Sequence, residues 1–272
     1  MGHLDASAVP VMGPEPKAMR NALRRAAVPP RVYSLMRSAM LVGQKLLRRP
    51  DEPDLRGFAV LAGSAPLIVD IGANGGQSAV ALSFIVPDAR IVSFEPNPVL
   101  WRELAFVQRL LGPRFERRQL GLGAEAARMR LHIPTVGRLP ITTRASLTPD
   151  GAREQAARLE TDTGRPVGIT SVEVPVETFD SLGLAPSGVK IDVEGYEYEV
   201  LSGMVRTLRA VRPLVMLECN ARDGECLALL EPLGYRRAWF DRGRGYLTAT
   251  RPPGAGNWYA VPDEMAEQVL NA

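Results

Sequence analysis

Several short stretches combine residue types and spacings that could do chemistry. Residues 67–77, Leu-Ile-Val-Asp-Ile-Gly-Ala-Asn-Gly-Gly-Gln, run apolar up to Asp70, pass through Gly72, Asn74, Gly75 and Gly76, and open into a helix-compatible segment at Gln77. That pattern is a strand, a tight turn and a helix start. Glycines remove Cβ atoms where a ligand must approach the backbone, and the helix start offers unpaired N–H groups. Such a turn grips a nucleotide-like ligand at the carboxyl end of a parallel strand. Glu95 ends the next apolar run, 23 positions after Gly72, where a carboxylate can accept both hydroxyls of a ribose. Further on, Gly-Val-Lys-Ile-Asp-Val-Glu-Gly-Tyr-Glu over 188–197 alternates charged and apolar residues. In a strand this puts Lys190, Asp192 and Glu194 on one side. Three charges on a central strand must pair or face a ligand-lined edge. Glu218 ends a later apolar run and is expected beside Asp192.

The turn discriminates between cofactors. A dinucleotide fingerprint needs G-x-G-x-x-G, but Asn74 stands at the second glycine. A carboxylate at Asp70, just before the turn, repels a pyrophosphate and suits a ligand with an ammonium group. S-adenosylmethionine has a ribose, an adenine, a sulfonium and an amino-acid tail, and no phosphate. The electrostatics favour it over NAD, which remains the alternative as an oxidoreductase cofactor. Methyl transfer requires an acceptor oxygen aligned with the methyl group and a base or metal to take the hydroxyl proton. Asp192 is the first candidate for positioning or base work, with Glu194 and Glu218 behind it; His132 is a lesser one, read first as a structural residue. Asp192 with Glu218 could also offer oxygen ligands to Mg²⁺, a pair too small to define a metal site. Lys190 reads as an ion-pair partner of Asp70 or Glu218.

Alternating elements must position these groups. Strands are expected at Leu67–Asp70, Arg90–Glu95, Arg117–Leu122, Val189–Val193 and Leu214–Glu218, and helices at Gln77–Val86, Pro98–Leu111, Tyr196–Leu208 and Gly224–Leu233. Arg236–Phe240, Tyr246–Thr250 and Trp258–Val261 read as closing strands, with a hairpin turn at the Arg-Gly cluster 242–245. This alternation favours an α/β fold with a doubly wound, largely parallel sheet. Residues 124–180 interrupt it, with strands at Met129–Ile133 and Ser171–Val176 and irregular chain between. Such an insertion is expected to be a substrate-facing lid. Trp239, Phe240 and Trp258 read as core or interface aromatics.

Five segments taken together carry a resemblance: Val-Asp-Ile-Gly-Ala-Asn-Gly-Gly (69–76), Phe-Glu-Pro-Asn-Pro (94–98), Val-Glu-Thr-Phe-Asp (176–180), Val-Lys-Ile-Asp-Val-Glu-Gly-Tyr-Glu (189–197) and Pro-Leu-Val-Met-Leu-Glu (213–218). The chain resembles the FkbM-type family of S-adenosylmethionine-dependent methyltransferases over about residues 65–220. The resemblance implies a Rossmann-like class I methyltransferase fold: a seven-stranded, mostly parallel sheet with helices on both faces. It also implies O-methylation of a hydroxyl on a sugar, glycan or secondary metabolite. Carried onto this sequence, it places Asp70, Gly72, Asn74 and Gly75 beside the methionine part of the cofactor. Glu95 is placed on the ribose, Asn97 beside the adenosine, and Gly121 and Leu122 at the adenine edge. No Asp, Asn or Ser stands at Leu122 or Gly123 to bind the adenine amino group, which leaves backbone groups or Glu125. Ser146 and Tyr196 are the candidate acceptor-binding residues. A non-catalytic cofactor-binding module of the same fold is the remaining alternative.

The bulk composition bounds the rest. The 272 residues are 46% hydrophobic, enough for one sizeable core. The expected division is an N-terminal arm and basic helical extension over 1–50, mobile at its start, followed by a methyltransferase domain over 51–272. Nine Lys/Arg stand against two acidic residues in 1–50, a charge of +7; with a net charge of +3, the body carries −4. Helical spacing over 17–48, interrupted at Pro29–Pro30, predicts two helices. Their basic face is expected to be solvated, or to recruit an anionic substrate or membrane surface. A net charge this small speaks against nucleic acid as a partner. Cys219 and Cys226 imply no disulfide framework. With no apolar run near membrane-spanning length and no signal-peptide pattern, a cytoplasmic protein is expected. A homo-oligomer is left open.

Overall fold

The computed structural model of the chain describes residues 30–137 and 139–270. In chain order the strands are β1 (Leu67–Ile71), β2 (Arg90–Phe94), β3 (Phe115–Arg118), β4 (Gly121–Leu122), β5 (Ala127–Val136), β6 (Leu139–Pro140), β7 (Val167–Glu177), β8 (Gly188–Ile191), β9 (Leu214–Glu218), β10 (Tyr235–Asp241), β11 (Tyr246–Thr248) and β12 (Asn257–Pro262). The main sheet runs β3-β2-β1-β8-β9-β12-β10-β11. β1, β2, β3, β8 and β9 are parallel, and β12 is reversed between β9 and β10. Seven of these strands make the expected methyltransferase-like sheet, and β11 adds an eighth through the hairpin to β10.

Strand order reverses around β1, which lies between β2 and β8. The crevice outside the carboxyl ends of β1, β2 and β8 is therefore the topological switch point where open α/β sheets bind ligands. Both faces of the sheet are covered, which explains the near-continuous apolar character of β1 and β9. Leu55, Phe58, Leu82, Leu104 and Tyr259 pack on one face, and Phe94, Phe179, Leu201, Met204 and Trp258 on the other.

Several boundaries differ from the sequence expectation for physical reasons. The expected strand 117–122 is divided: β3 stays in the main sheet, while β4 pairs with β7 in a second, four-stranded sheet of order β4-β7-β5-β6. The expected helix 196–208 is broken into Glu197–Ser202 and Val205–Ala210. The break falls at Gly203, where a Cβ would lie 1.9 Å from the Gly123 carbonyl oxygen. The expected helix 98–111 begins as a 3-10 turn over Pro98–Leu100, where the Asn97 side chain accepts from the Val99 N–H.

The insertion is more ordered than its sequence suggested. β5 and β7 pair over ten positions, and a helix spans Pro149–Thr163. That helix buries only Ala152, Ala156 and Leu159, so its apolar stripe is narrow and built largely of alanine. Thr148 caps it by accepting from the Gly151 N–H.

The mobile start expected before residue 17 and the first of the two expected helices fall in residues 1–29, outside the described residues. From Pro30 to Leu47 the chain is one helix. Arg37, Lys45 and Arg48 are tied to the domain rather than left free in solvent, contrary to the expectation. Arg37 is buried and pairs with Glu103 at 2.9 Å. Lys45 donates to the Leu110 carbonyl and Arg48 to the Phe84 carbonyl. Those carbonyls lie in the last turns of the helices Trp101–Leu111 and Gln77–Ile85, where unpaired C=O groups attract cations. Among the described residues no helix is long and apolar enough to cross a membrane.

Candidate active site

β1 delivers its chain into the turn after Ile71. Gly72 has φ +78° and Asn74 φ +47°, and Gly76 (φ +87°) precedes the helix Gln77–Ile85. A Cβ on Gly72 would sit 1.8 Å from the Asp192 carbonyl oxygen. Gly72 is therefore required by the contact between the first turn and the chain leaving β8, as well as by its backbone angle.

Glu95 follows β2 and is 7% exposed. Its Oε2 accepts the Asn74 N–H and its Oε1 the Asn97 N–H, both at 2.8 Å. A carboxylate has about four acceptor sites; two are filled by backbone, which leaves one on each oxygen. Burial pushes the Glu95 carboxyl up to about 7, against the two N–H donors that favour its charged form. Glu95 lines the crevice together with Gly72 and Asn74, and Gly121 and Leu122 form part of the same wall. Asn74 Oδ1 is buried there without a hydrogen-bond partner.

Asp192 and Glu194 line the crevice too. β8 ends at Ile191, so Glu194 is not placed by strand alternation: it has φ +54° and Gly195 φ +95°. This left-handed turn projects the two carboxyl groups at the strand tip. Lys190 Nζ lies 3.2 Å from Asp192 Oδ2 and 3.4 Å from Asp70 Oδ1, and donates to the Gly72 carbonyl at 3.2 Å. Burial alone would strip its proton, but Asp192, Asp70 and Glu52 outweigh that, and Lys190 is held charged above the ordinary lysine range. The ion pairs are thus with Asp70 and Asp192, and not with Glu218. Burial pushes Glu194 up to about 8, reinforced by Asp192 and opposed by Arg144. Glu218 is pushed up to about 9 by burial and by Asp192, with which it shares a hydrogen bond. Asp192 therefore has Lys190 on one side and a proton-bearing Glu218 on the other.

Several predicted residues are near the crevice without lining it. Asp70 is fully enclosed, and its carboxylate accepts from Ser78 Oγ at 2.8 Å and Ser93 Oγ at 2.9 Å as well as facing Lys190. A Cβ on Gly75 would meet Arg37 and Glu103, so this glycine faces the N-terminal helix. Asn97 is 1% exposed and serves as a cap, with Nδ2 unpartnered. The Ser146 hydroxyl is turned toward Thr148, accepting its N–H, while its backbone bridges His132. Tyr196 packs on Gly123 and reaches Met129 with its hydroxyl. Glu125 is exposed and away from the crevice. Among the described residues no group of three or more His, Cys, Asp or Glu side chains is arranged to hold a metal ion.

Sequence reasoning placed the insertion over the site as a lid but missed which of its residues line the crevice. Thr142, Thr143, Ala145 and Leu147 line the crevice. Behind them Arg144 Nη1 donates to Gln155 Oε1 at 2.6 Å, and Gln155 Nε2 donates to Glu194 Oε2 at 3.2 Å. Glu52, which bears on both Lys190 and Asp192, was also missed; it accepts from the Asn257 side chain. The hydropathy pattern of these segments gives no signal of a shared site, because the chain reaches it through turns.

The chain is similar to several known methyltransferases. Methyltransferase sdnD of Sordaria araneosa is 30% identical over 217 residues, a match taking in 69% of this chain and 82% of that protein. Among solved structures, the chain is similar to methyltransferase FkbM from Methylobacillus flagellatus KT, with 18% identity and a TM-score of 0.48. That match covers 89% of this chain and 58% of the other, so the chain spans a little over half its length. It is also similar to a fibrillarin of Aeropyrum pernix solved with natively bound S-adenosyl-L-methionine, with 15% identity, a TM-score of 0.38, and 81% and 74% of the two chains covered. The FkbM methyltransferase domain matches residues 70–237, and the chain belongs to that family of methyltransferases.

Proposed function

We infer that the protein is an S-adenosylmethionine-dependent O-methyltransferase acting on a hydroxyl of a sugar, glycan or secondary metabolite. The observation that carries the cofactor reading is Glu95. Each of its carboxylate oxygens keeps one acceptor site after taking a backbone N–H, and two adjacent acceptors suit the two hydroxyls of a ribose. Asn74 Oδ1, a buried acceptor without a donor, suits the ammonium end of the same ligand. Asp70 acts one step back, fixing Lys190 and the serines beneath the turn. Gly121 and Leu122 offer an apolar edge to the adenine.

The cofactor supplies an activated methyl group on a sulfonium. What the protein must add is alignment of the acceptor and a place for the departing proton. Asp192 and Glu194 stand in the crevice beside the turn; Glu194 is pushed up to about 8, so it takes a proton from a hydroxyl only once ionised, and turnover should rise as pH approaches that value. Glu218 acts through Asp192, holding its carboxylate in place by a hydrogen bond.

Two measurements test this. Calorimetric titration with S-adenosylmethionine and, separately, with NAD should show binding of the first only; binding of NAD alone would restore the oxidoreductase alternative. An acceptor screen read by release of S-adenosylhomocysteine should then yield a product one methyl group heavier. Cofactor binding with no turnover across a broad hydroxyl panel would favour a non-catalytic module. Turnover unchanged by chelation would remove any Mg²⁺ requirement.

A further inference from the structure

One strand of the insertion has an open edge. β7 pairs with β5 over Val167–Val176, but on its other side β4 meets it only at Val176 and Glu177. The direction of its backbone groups follows from its neighbour. His132 exchanges both backbone hydrogen bonds with Ser146, and the Pro134 carbonyl accepts from Ile141, so these β5 residues bond away from β7. Directly opposite residues in an antiparallel pair either bond each other twice or not at all, in alternation. Ser171 and Ile169, opposite His132 and Pro134, therefore point their N–H and C=O groups outward, as do Val167 and Glu173. The Val167 N–H is taken by the Glu160 side chain at 3.0 Å, which fits that direction. No partner among the described residues is recorded for the outward groups of Ile169, Ser171 and Glu173.

This edge is lightly protected: Glu173, which also faces Arg128, is its one charge, and Glu160 covers only the Val167 N–H. From Val167 to Val174 the strand reads Val-Gly-Ile-Thr-Ser-Val-Glu-Val, without Lys, Arg or Pro, until Pro175. Residues 168–171 are exposed, and Ile169 is 41% exposed. A strand of this kind invites another strand, and its charges say which. If two copies run antiparallel about a two-fold axis at Ile169, outward-bonding residues face outward-bonding residues, and only the Val167 N–H, already held by Glu160, would have to exchange its partner. Ile169 then meets the partner's Ile169, Val167 meets the partner's Ser171, and Arg165 lies across from the partner's Glu173 at both ends.

We propose that β7 is a dimerisation edge, on which a second copy of this chain adds its own β7 antiparallel and joins the two insertion sheets into one eight-stranded sheet. The occupant is a second copy because the outward groups of Ile169 and Ser171 and the opposite charges of Arg165 and Glu173 are complementary to themselves under a two-fold axis. The insertion also lines the crevice, so the dimer would couple the two crevice walls through one sheet.

The test uses the full chain. Sedimentation velocity over a wide concentration series should show a monomer–dimer equilibrium. Amide exchange at Ile169 and Ser171 should slow as concentration rises. Ile169→Pro removes an outward N–H without touching the β5 ladder; it should abolish the dimer and leave the thermal midpoint in place. Should that variant misfold, charge exchange decides: Arg165→Glu or Glu173→Arg should each weaken association roughly tenfold, and the two together should restore it. A chain that stays monomeric throughout overturns the proposal. So does a dimer indifferent to these substitutions, or an edge whose amides are protected equally at every concentration, which would mean another segment of the chain covers it.

Discussion

The two walls of the crevice are built by opposite means. One wall comes from the tips of β1 and β2, where glycine angles and backbone hydrogen bonds leave almost no freedom: the Asn74 and Asn97 N–H groups fix Glu95, and Gly72 lies against the Asp192 carbonyl. The other comes from the insertion, where threonines and alanine line the surface and side chains reach across, as Gln155 does to Glu194. A wall set by the backbone serves a ligand that never changes. A wall set by side chains on a separate small sheet can be altered without disturbing the first. That division suits an enzyme with one cofactor and an acceptor particular to it.

The sharpest way to break the comparison is at Gly72. Gly72→Ala forces a Cβ into the Asp192 carbonyl at a positive φ, and should cost more than about 3 kcal/mol or prevent folding. Thermal unfolding followed by circular dichroism reads this directly. Ala145→Ser, an equally small change on the insertion wall, should stay within about 1 kcal/mol. Similar losses at both positions would mean that the two walls are not differently constrained.

Glu95 gives the next largest effect. Glu95→Ala removes two acceptors aimed at the crevice, and should weaken S-adenosylmethionine binding about 100-fold in calorimetry. Glu194→Gln should leave that affinity within about threefold. The wild-type affinity should also depend on pH with a definite sign. Accepting two hydroxyls favours the ionised carboxylate, and Glu95 titrates at about 7, so binding should strengthen as pH rises to that value and level off above it. Affinity that falls over that interval would contradict the role given to Glu95.

The same division explains what the sequence made legible. A glycine turn, an acid at a strand tip and an alternating charged strand are local patterns, and the elements around Asp70, Glu95 and Lys190 could be read from them. The insertion helix Pro149–Thr163 could not, because burying Ala152, Ala156 and Leu159 requires no conspicuous apolar stripe. The path of β4 was hidden for a related reason. Leaving the main sheet for another is decided by where Gly121 fits against Val176, a long-range contact that no local window holds. Glu194 was found as a residue but not as a geometry: its crevice position comes from a left-handed turn and from Gln155, 39 positions away.

The acids behind the crevice offer the subtlest test, because they report on burial rather than on ligand. Glu194 and Glu218 titrate near 8 and 9 in the folded protein, against an ordinary value of 4.5. Their raised values mean that the native state keeps protons that the unfolded chain releases. The stability tied to these protons is fully present below 4.5 and is lost as pH rises through the folded values. Between pH 6 and pH 8 the thermal midpoint should therefore fall, by roughly 10 °C. Glu218→Gln mimics the protonated acid, since its amide can still donate to Asp192, and it cannot ionise. The variant should match the wild type near pH 4.5, stand above it at pH 6, and lose less between pH 6 and pH 8. Parallel slopes for the two proteins would show that Glu218 is not the buried acid it is taken to be, and would leave the Asp192 carboxylate supported by Lys190 alone.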